Sequence, residues 1–247
     1  MSSPINARER LILALDLPDV NTALKMVRRV EGAVDFFKVG LSLQLADGVE
    51  GLIRTLLDGG KKVFLDYKYY DVPETLRKAV SQAARLGVEF LTIHGSTALI
   101  RGAIEGRGTS RLKLLNVTVL TSMDTADMLD MGYSEHSVSD LVLFRARKAM
   151  EAGCDGVVSS GHEARRIKEF SGDRLIVVTP GIRDDGAPAD DQKRTMTARD
   201  AILAGADYLV IGRPITGKPD PKGEAERIVE AISDAAEERL SVSSQKS

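Results

Sequence analysis

The stretch Lys62-Val63-Phe64-Leu65-Asp66-Tyr67-Lys68-Tyr69-Tyr70-Asp71-Val72-Pro73 sets charges at the end of an apolar run that reads as a buried strand. Side chains alternate across a strand, so Phe64, Asp66 and Lys68 share one face while Val63, Leu65, Tyr67 and Tyr69 share the other. One face therefore carries a carboxylate beside an ammonium. Pro73 disfavours further pairing and restricts Val72, which ends the strand and leaves Asp71 in the loop beyond it. A purely structural alternative exists: a strand-end salt bridge from Asp66 to Lys68, with Asp71 capping a helix and Glu74 at its third position.

Working outward, short apolar runs recur on both sides of this stretch, each followed by a helix-patterned segment. They are Leu11–Asp16, Phe36–Gly40, the opening stretch, Phe90–His94, Leu114–Leu120, Gly156–Ser159, Leu175–Thr179 and Tyr208–Gly212. Amphipathic segments such as Asn21–Val30, Val49–Leu57, Glu74–Leu86, Asp140–Ala152 and Glu224–Leu240 lie between and after them. Strand and helix alternating eight times in 247 residues predicts an α/β fold, a single (β/α)8 TIM barrel. An open doubly wound sheet is the alternative, but no Gly-x-Gly-x-x-Gly turn follows the first strand. One domain is expected over residues 1–247, with 1–8 and 241–247 as frayed tails.

Composition narrows the chemistry. With 34 basic and 36 acidic residues the formal charge is -2, and no basic block offers a footprint for nucleic acid or a membrane surface. The lone Cys154 excludes an intramolecular disulfide and reads as packing, and no apolar run has the length of a membrane span. A cytoplasmic enzyme acting on a small molecule is expected. His94, His136 and His162 are scattered without paired ligand spacing, so no metal site is expected. Met123, Met128, Met131 and Tyr133 could wall an apolar pocket or pack a helix.

Barrel active sites form at the carboxyl ends of the strands. There the sequence places Asp16 after strand one, Lys38 late in strand two, and Asp66 and Lys68 at the end of strand three. Burying an unpartnered ion costs on the order of several kcal/mol, so four such charges on three neighbouring strands point to a site. Strands seven and eight run into Thr179-Pro180-Gly181-Ile182-Arg183 and Gly212-Arg213-Pro214-Ile215. Loops after these two strands commonly bind phosphate, with glycine permitting close backbone approach and arginine offering forked donors. The long polar connection Asp184–Thr197 suggests a lid over the anion.

These motifs together resemble one family. The set Leu13-Ala-Leu-Asp16, Lys38-Val-Gly, Asp66-x-Lys68-x-x-Asp71-x-Pro73-x-Thr75, Val117-Thr-Val-Leu-Thr-Ser122-Met, Thr179-Pro-Gly-Ile-Arg183, Asp191-Gln192-Lys-Arg and Val210-Ile-Gly-Arg213-Pro-Ile-Thr is similar to orotidine 5'-phosphate decarboxylase of the bacterial pattern. The resemblance implies cofactor-independent decarboxylation of orotidine 5'-phosphate to uridine 5'-phosphate, the last step of de novo pyrimidine nucleotide synthesis. It implies that Asp16 and Lys38 hold the ribose hydroxyls and that Lys68 donates the proton within a Lys38, Asp66, Lys68, Asp71 array. Thr121 and Ser122 would contact the pyrimidine, and Gln192 would link base to phosphate. Arg183, Gly212 and Arg213 would bind the phosphate. Asp71 and Thr75 would reach into the partner's site in a homodimer. The tyrosines Tyr67, Tyr69 and Tyr70 fill variable positions of the motif and bear on packing. Two other readings stand beside this one: a metal-dependent sugar-phosphate decarboxylase or aldolase of the same barrel group, which typically carries glutamate where Lys38 stands, and a non-catalytic phosphate-binding barrel.

Overall fold

In a computed structural model the described residues are 5–133, 137–183 and 194–244. Eight parallel strands close on themselves in chain order: β1 (Leu11–Ala14), β2 (Phe36–Gly40), β3 (Lys62–Tyr69), β4 (Phe90–Ile93), β5 (Lys113–Val117), β6 (Gly156–Val158), β7 (Ile176–Thr179) and β8 (Tyr208–Ile211). Closure comes from β1 pairing with β8, Leu11 opposite Leu209 and Leu13 opposite Ile211. The expected (β/α)8 barrel is therefore present. Closing the sheet leaves no exposed edge, which is why the short strands can be almost wholly apolar.

The helices are α1 (Ala7–Arg10), α2 (Val20–Arg29), α3 (Val49–Asp58), α4 (Pro73–Leu86), α5 (Thr97–Arg107), α6 (Thr125–Asp130), α7 (Val138–Glu151), α8 (Gly161–Ser171), α9 (Ala198–Ala204), α10 (Arg213–Thr216) and α11 (Pro221–Ser244). Their starts follow from local chemistry. Asp19 accepts the Thr22 amide at 2.8 Å to cap α2, and Ser137 and Thr197 cap α7 and α9 in the same way. Helix α4 instead starts with Pro73 in its first turn and has no side-chain cap, its cap residue being Val72. The alternative role of Asp71 as that cap is thus corrected: its carboxylate accepts the neighbouring Val72 amide at 2.7 Å. Helices α1 and α11 run into the segments expected to be tails, covering Ala7–Arg10 and extending to Ser244.

Alternation along the strands divides the apolar residues into two sets. Ile12, Phe36, Phe64, Phe90, Leu115, Val178, Tyr208 and Val210 point inward and fill the barrel. Aromatic rings close its lower half: Phe90 lies 5.1 Å from Phe36 and 5.1 Å from Tyr208, the latter edge to face. The outward set, including Leu13, Val39, Val63, Leu65, Leu91, Val157 and Leu209, packs beneath the helices. With the lower barrel plugged, only the layer above Phe64 is left to carry chemistry.

Strands β4, β6 and β8 stop one residue short of expectation, and two others differ by more. Strand β1 stops at Ala14, although the Leu15 amide still reaches the Lys38 carbonyl at 2.9 Å, and β5 stops at Val117 where Leu120 was expected. Beyond Val117 the chain turns over the barrel mouth, and this turn brings Thr121 and Ser122 into the wall of a cavity.

Candidate active site

A cavity of about 470 Å³ opens at the carboxyl end of the barrel, where Asp16, Lys38, Asp66 and Lys68 meet Thr121, Ser122, Arg183, Gly212 and Arg213. The inward parity read from the sequence holds through β3, because Phe64, Asp66 and Lys68 all line this cavity while Tyr67 and Tyr69 pack against the outer core.

Asp66 is the centre of the charged group. Its Oδ1 lies 2.9 Å from Lys68 Nζ and its Oδ2 lies 3.4 Å from Lys38 Nζ. Lys38 also donates to Asp16 Oδ1 at 2.9 Å, so the charges alternate across three strands. Space for the last pair depends on Gly40, since a Cβ there would stand 2.8 Å from Lys38 Nζ and 3.0 Å from Asp16 Oδ1. Burial is the largest single influence on Asp66 and pushes its pKa up. Lys38, Lys68 and the hydrogen bonds from Lys68 and Thr92 together outweigh it, leaving the carboxyl below its usual range. An anionic carboxylate held between two lysines, with one side open to the cavity, is the chemical core of the site.

The opposite wall is built differently. Strand β7 lies four strands from β3 around the barrel, so its loop faces the charged group across the mouth. Gly181 has φ +78, a left-handed backbone that favours glycine. Around it Ile182 pairs with Met196, the Arg183 amide donates to the Met196 carbonyl at 3.0 Å, and the Met196 amide donates to the Gly181 carbonyl at 3.3 Å. Arg194 forms an ion pair with the buried Glu163 of α8. These contacts pin both ends of the connection expected to act as a lid. Its central part, including Gln192, lies outside the described residues, as does His136.

Two of the expected site residues do not join the cavity of their own chain. Asp71 and Thr75 are exposed, beyond β3 and in the first turn of α4. Met128 is fully buried in the outer core, with Met123 and Tyr133 packed against that core, and Met131 is exposed, so this group packs a helix. Cys154 is buried and its thiol donates to the Leu114 carbonyl at 3.1 Å. His94 is half-buried against the exposed Tyr70 ring, and burial, aided by Arg145 and Lys68, holds its pKa down.

Sequence reasoning missed three polar residues. Ser42 and Thr216 line the cavity, and the fully buried Thr92 donates to Asp66 Oδ1 at 2.9 Å. Thr92 had a readable signal: it stands two residues after the inward Phe90 on β4, the same spacing that relates Phe64 to Asp66. Ser42 follows β2 in a short 3-10 turn and Thr216 closes α10, and no periodicity reaches either of them.

No helix among the described residues is long and apolar enough to cross a membrane. Comparison with known proteins agrees with the motifs. The chain is 51% identical over 229 residues to an orotidine 5'-phosphate decarboxylase of Nitrobacter winogradskyi, covering 93% of this chain and 95% of that protein. It is 49% identical to one from Rhodopseudomonas palustris, covering 94% and 98% respectively. The crystal structure of the Lactobacillus acidophilus enzyme of that name superposes with a TM-score of 0.79 at 33% identity, over 91% of this chain and 99% of that one. The family model for orotidine 5'-phosphate decarboxylase and its HUMPS relatives matches residues 9–228, and the chain belongs to that family.

Proposed function

We propose that this protein decarboxylates orotidine 5'-phosphate to uridine 5'-phosphate without a cofactor, with Lys68 donating the proton to C6. The observation that carries this reading is the Lys38–Asp66–Lys68 group facing an arginine- and glycine-lined wall across one cavity. The names carried by close relatives of nearly equal length support it.

Breaking the bond from C6 to the carboxylate releases CO₂ and leaves an electron pair in the plane of the pyrimidine ring. The ring's π system cannot spread that pair, so its stabilisation falls to fixed charge in the protein. The Lys68 ammonium supplies the charge, and its proton then forms the new C6–H bond. Asp66 keeps that ammonium oriented at 2.9 Å. Lys38 and Asp16 are suited to the ribose hydroxyls, Thr121 and Ser122 to the base, and Arg183, Gly212 and Arg213 to the phosphate, with Gln192 assigned to bridge base and phosphate.

Magnitudes say that Lys68 is not sufficient alone. A unit charge pair at about 4 Å gives roughly 4 kcal/mol at an effective dielectric near 20. Enzymes lower barriers by about 8–23 kcal/mol. Contacts to phosphate and ribose supply the remainder if they hold the substrate against the charged group in the reacting geometry.

Asp71 and Thr75 complete the site of a second copy in a homodimer. Their exposure beyond the cavity of their own chain supports that assignment. The metal-using alternative is disfavoured by Lys38, whose ammonium already lies against both Asp16 and Asp66 where a divalent cation would need free carboxylates. An ultraviolet assay in the presence of a chelator tests the proposal. Orotidine 5'-phosphate is expected to be consumed and orotidine without its phosphate to be nearly inert; loss of activity in chelator, restored by magnesium, would support the alternative instead.

A further inference from the structure

Strands β3 and β4 pair regularly at Phe64 opposite Phe90 and Leu65 opposite Leu91, then resume at Tyr69 opposite Ile93. Between these points three residues of β3, Asp66, Tyr67 and Lys68, face one residue of β4, Thr92. The extra length forms a bulge, and bulges re-aim side chains at the cost of ladder hydrogen bonds. Lys68 absorbs the distortion with φ +48 and is the only non-glycine residue in the left-handed region among the described residues. A long-chain L-residue adopts that conformation only where its surroundings enforce it.

The enforcing group is one hydroxyl. Thr92 is fully buried, and its Oγ1 accepts the Lys68 amide at 2.9 Å while donating to Asp66 Oδ1 at 2.9 Å. The bulge carries the Lys68 amide away from the carbonyls of β4, and the Thr92 oxygen stands in for them. The same atom fixes the carboxylate that orients the Lys68 ammonium at 2.9 Å. Backbone and head group of one lysine are thereby referred to a single rigid point inside the barrel.

We propose that Thr92 is a positioning residue for the proton donor, its hydroxyl holding both the strained backbone of Lys68 and the carboxylate that aims its ammonium. The inference rests on the decarboxylase reading above. It concerns the chemical step rather than substrate capture, because Thr92 does not line the cavity.

The test compares the wild-type chain with Thr92→Val, which keeps the shape but neither accepts nor donates, and with Thr92→Ser, which keeps the hydroxyl. With orotidine 5'-phosphate as substrate, Thr92→Val is expected to lower kcat about ten- to hundredfold, the scale of a hydrogen bond to a charged group, with KM changed by less than about threefold. Thr92→Ser is expected to return kcat to within about threefold of wild type. Where the valine chain does not fold, Thr92→Ala takes its place, with circular dichroism confirming the barrel. A wild-type kcat in the hydroxyl-free variant overturns the inference, as does a serine variant as slow as the valine one, which would assign the effect to the methyl group. Inactivity of the wild-type chain itself would overturn the decarboxylase reading and this inference together, whereas the other two outcomes leave that reading standing.

Discussion

Lys68 Nζ stands 2.9 Å from Asp66 Oδ1, two residues apart on one inward strand face, at the one place where β3 leaves its register with β4. The Asp66 side chain is 16% exposed and that of Lys68 is 31% exposed, so the lysine is the member of the pair presented to the cavity. Asp66 faces Lys38 as well and remains paired if Lys68 is lost.

That asymmetry gives the first prediction. Lys68→Ala removes an ammonium while leaving Asp66 paired with Lys38 and Thr92, so the barrel should fold and melt close to wild type. Turnover of orotidine 5'-phosphate should fall by about 10⁴-fold or more, the scale seen when an indispensable catalytic group is deleted. Circular dichroism melts and the ultraviolet assay check the two halves separately. A variant that decarboxylates near the wild-type rate would remove Lys68 from the mechanism.

Asp66 gives a prediction about acid. The fold favours its ionised form, since Lys38, Lys68 and Thr92 together outweigh the upward push of burial and leave its pKa below the ordinary aspartate value of about 3.9. The stability contributed by this ionisation is complete above that ordinary value and is lost as pH falls through the lower, folded value. Urea melts of wild type and Asp66→Asn at one fixed protein concentration should therefore differ most above pH ~5, with the difference narrowing on acidification. A difference that grows as pH falls would mean that the native carboxyl is protonated.

Cys154 should be inert in the folded protein. It is buried, and that burial pushes its thiol up to about 12, which leaves roughly one part in ten thousand as thiolate at pH 8. Iodoacetamide at that pH should label the native chain negligibly and the urea-unfolded chain stoichiometrically, as read by mass spectrometry. Rapid native labelling would place Cys154 in an opening segment between α7 and β6.

The sequence exposes whatever obeys a short period. Phe64, Asp66 and Lys68 fall on one face by simple alternation, and eight such strand–helix repeats favour a barrel over an open sheet before any contact is known, with closure then shown by the β1–β8 pairing. Gly181 and Arg183 were readable because barrel topology fixes which loops face one another. What escaped needed the third dimension. Thr92 matters through its register with a bulge, and a bulge adds residues without leaving any trace in hydrophobic pattern. Strand β5 was read three residues too long because Thr118, Val119 and Leu120 are apolar or β-branched and look like strand, although they belong to the turn at the cavity mouth. Lys38 already stood against the metal-using alternative in the sequence, but its contacts did not show there: its partners Asp16 and Asp66 are 22 and 28 residues away and meet it only through β1–β2–β3 pairing.

The proposed sharing of sites between two copies gives the final prediction. Asp71 and Thr75 are exposed and turned out of their own chain's cavity, whereas Lys68 lies inside it. If Asp71 serves the neighbouring copy, Lys68→Ala and Asp71→Ala chains are each inactive as homodimers. A mixed dimer, however, pairs the intact Lys68 of one chain with the intact Asp71 of the other and so holds one working site. With free exchange, half the dimers are mixed and each has one of two sites restored, so activity should recover to roughly a quarter of wild type. Differently tagged chains separate the mixed species and prove that exchange has occurred. A purified mixed dimer with no activity would mean that Asp71 acts within its own chain or not at all, and the exposed face around it would then need another explanation.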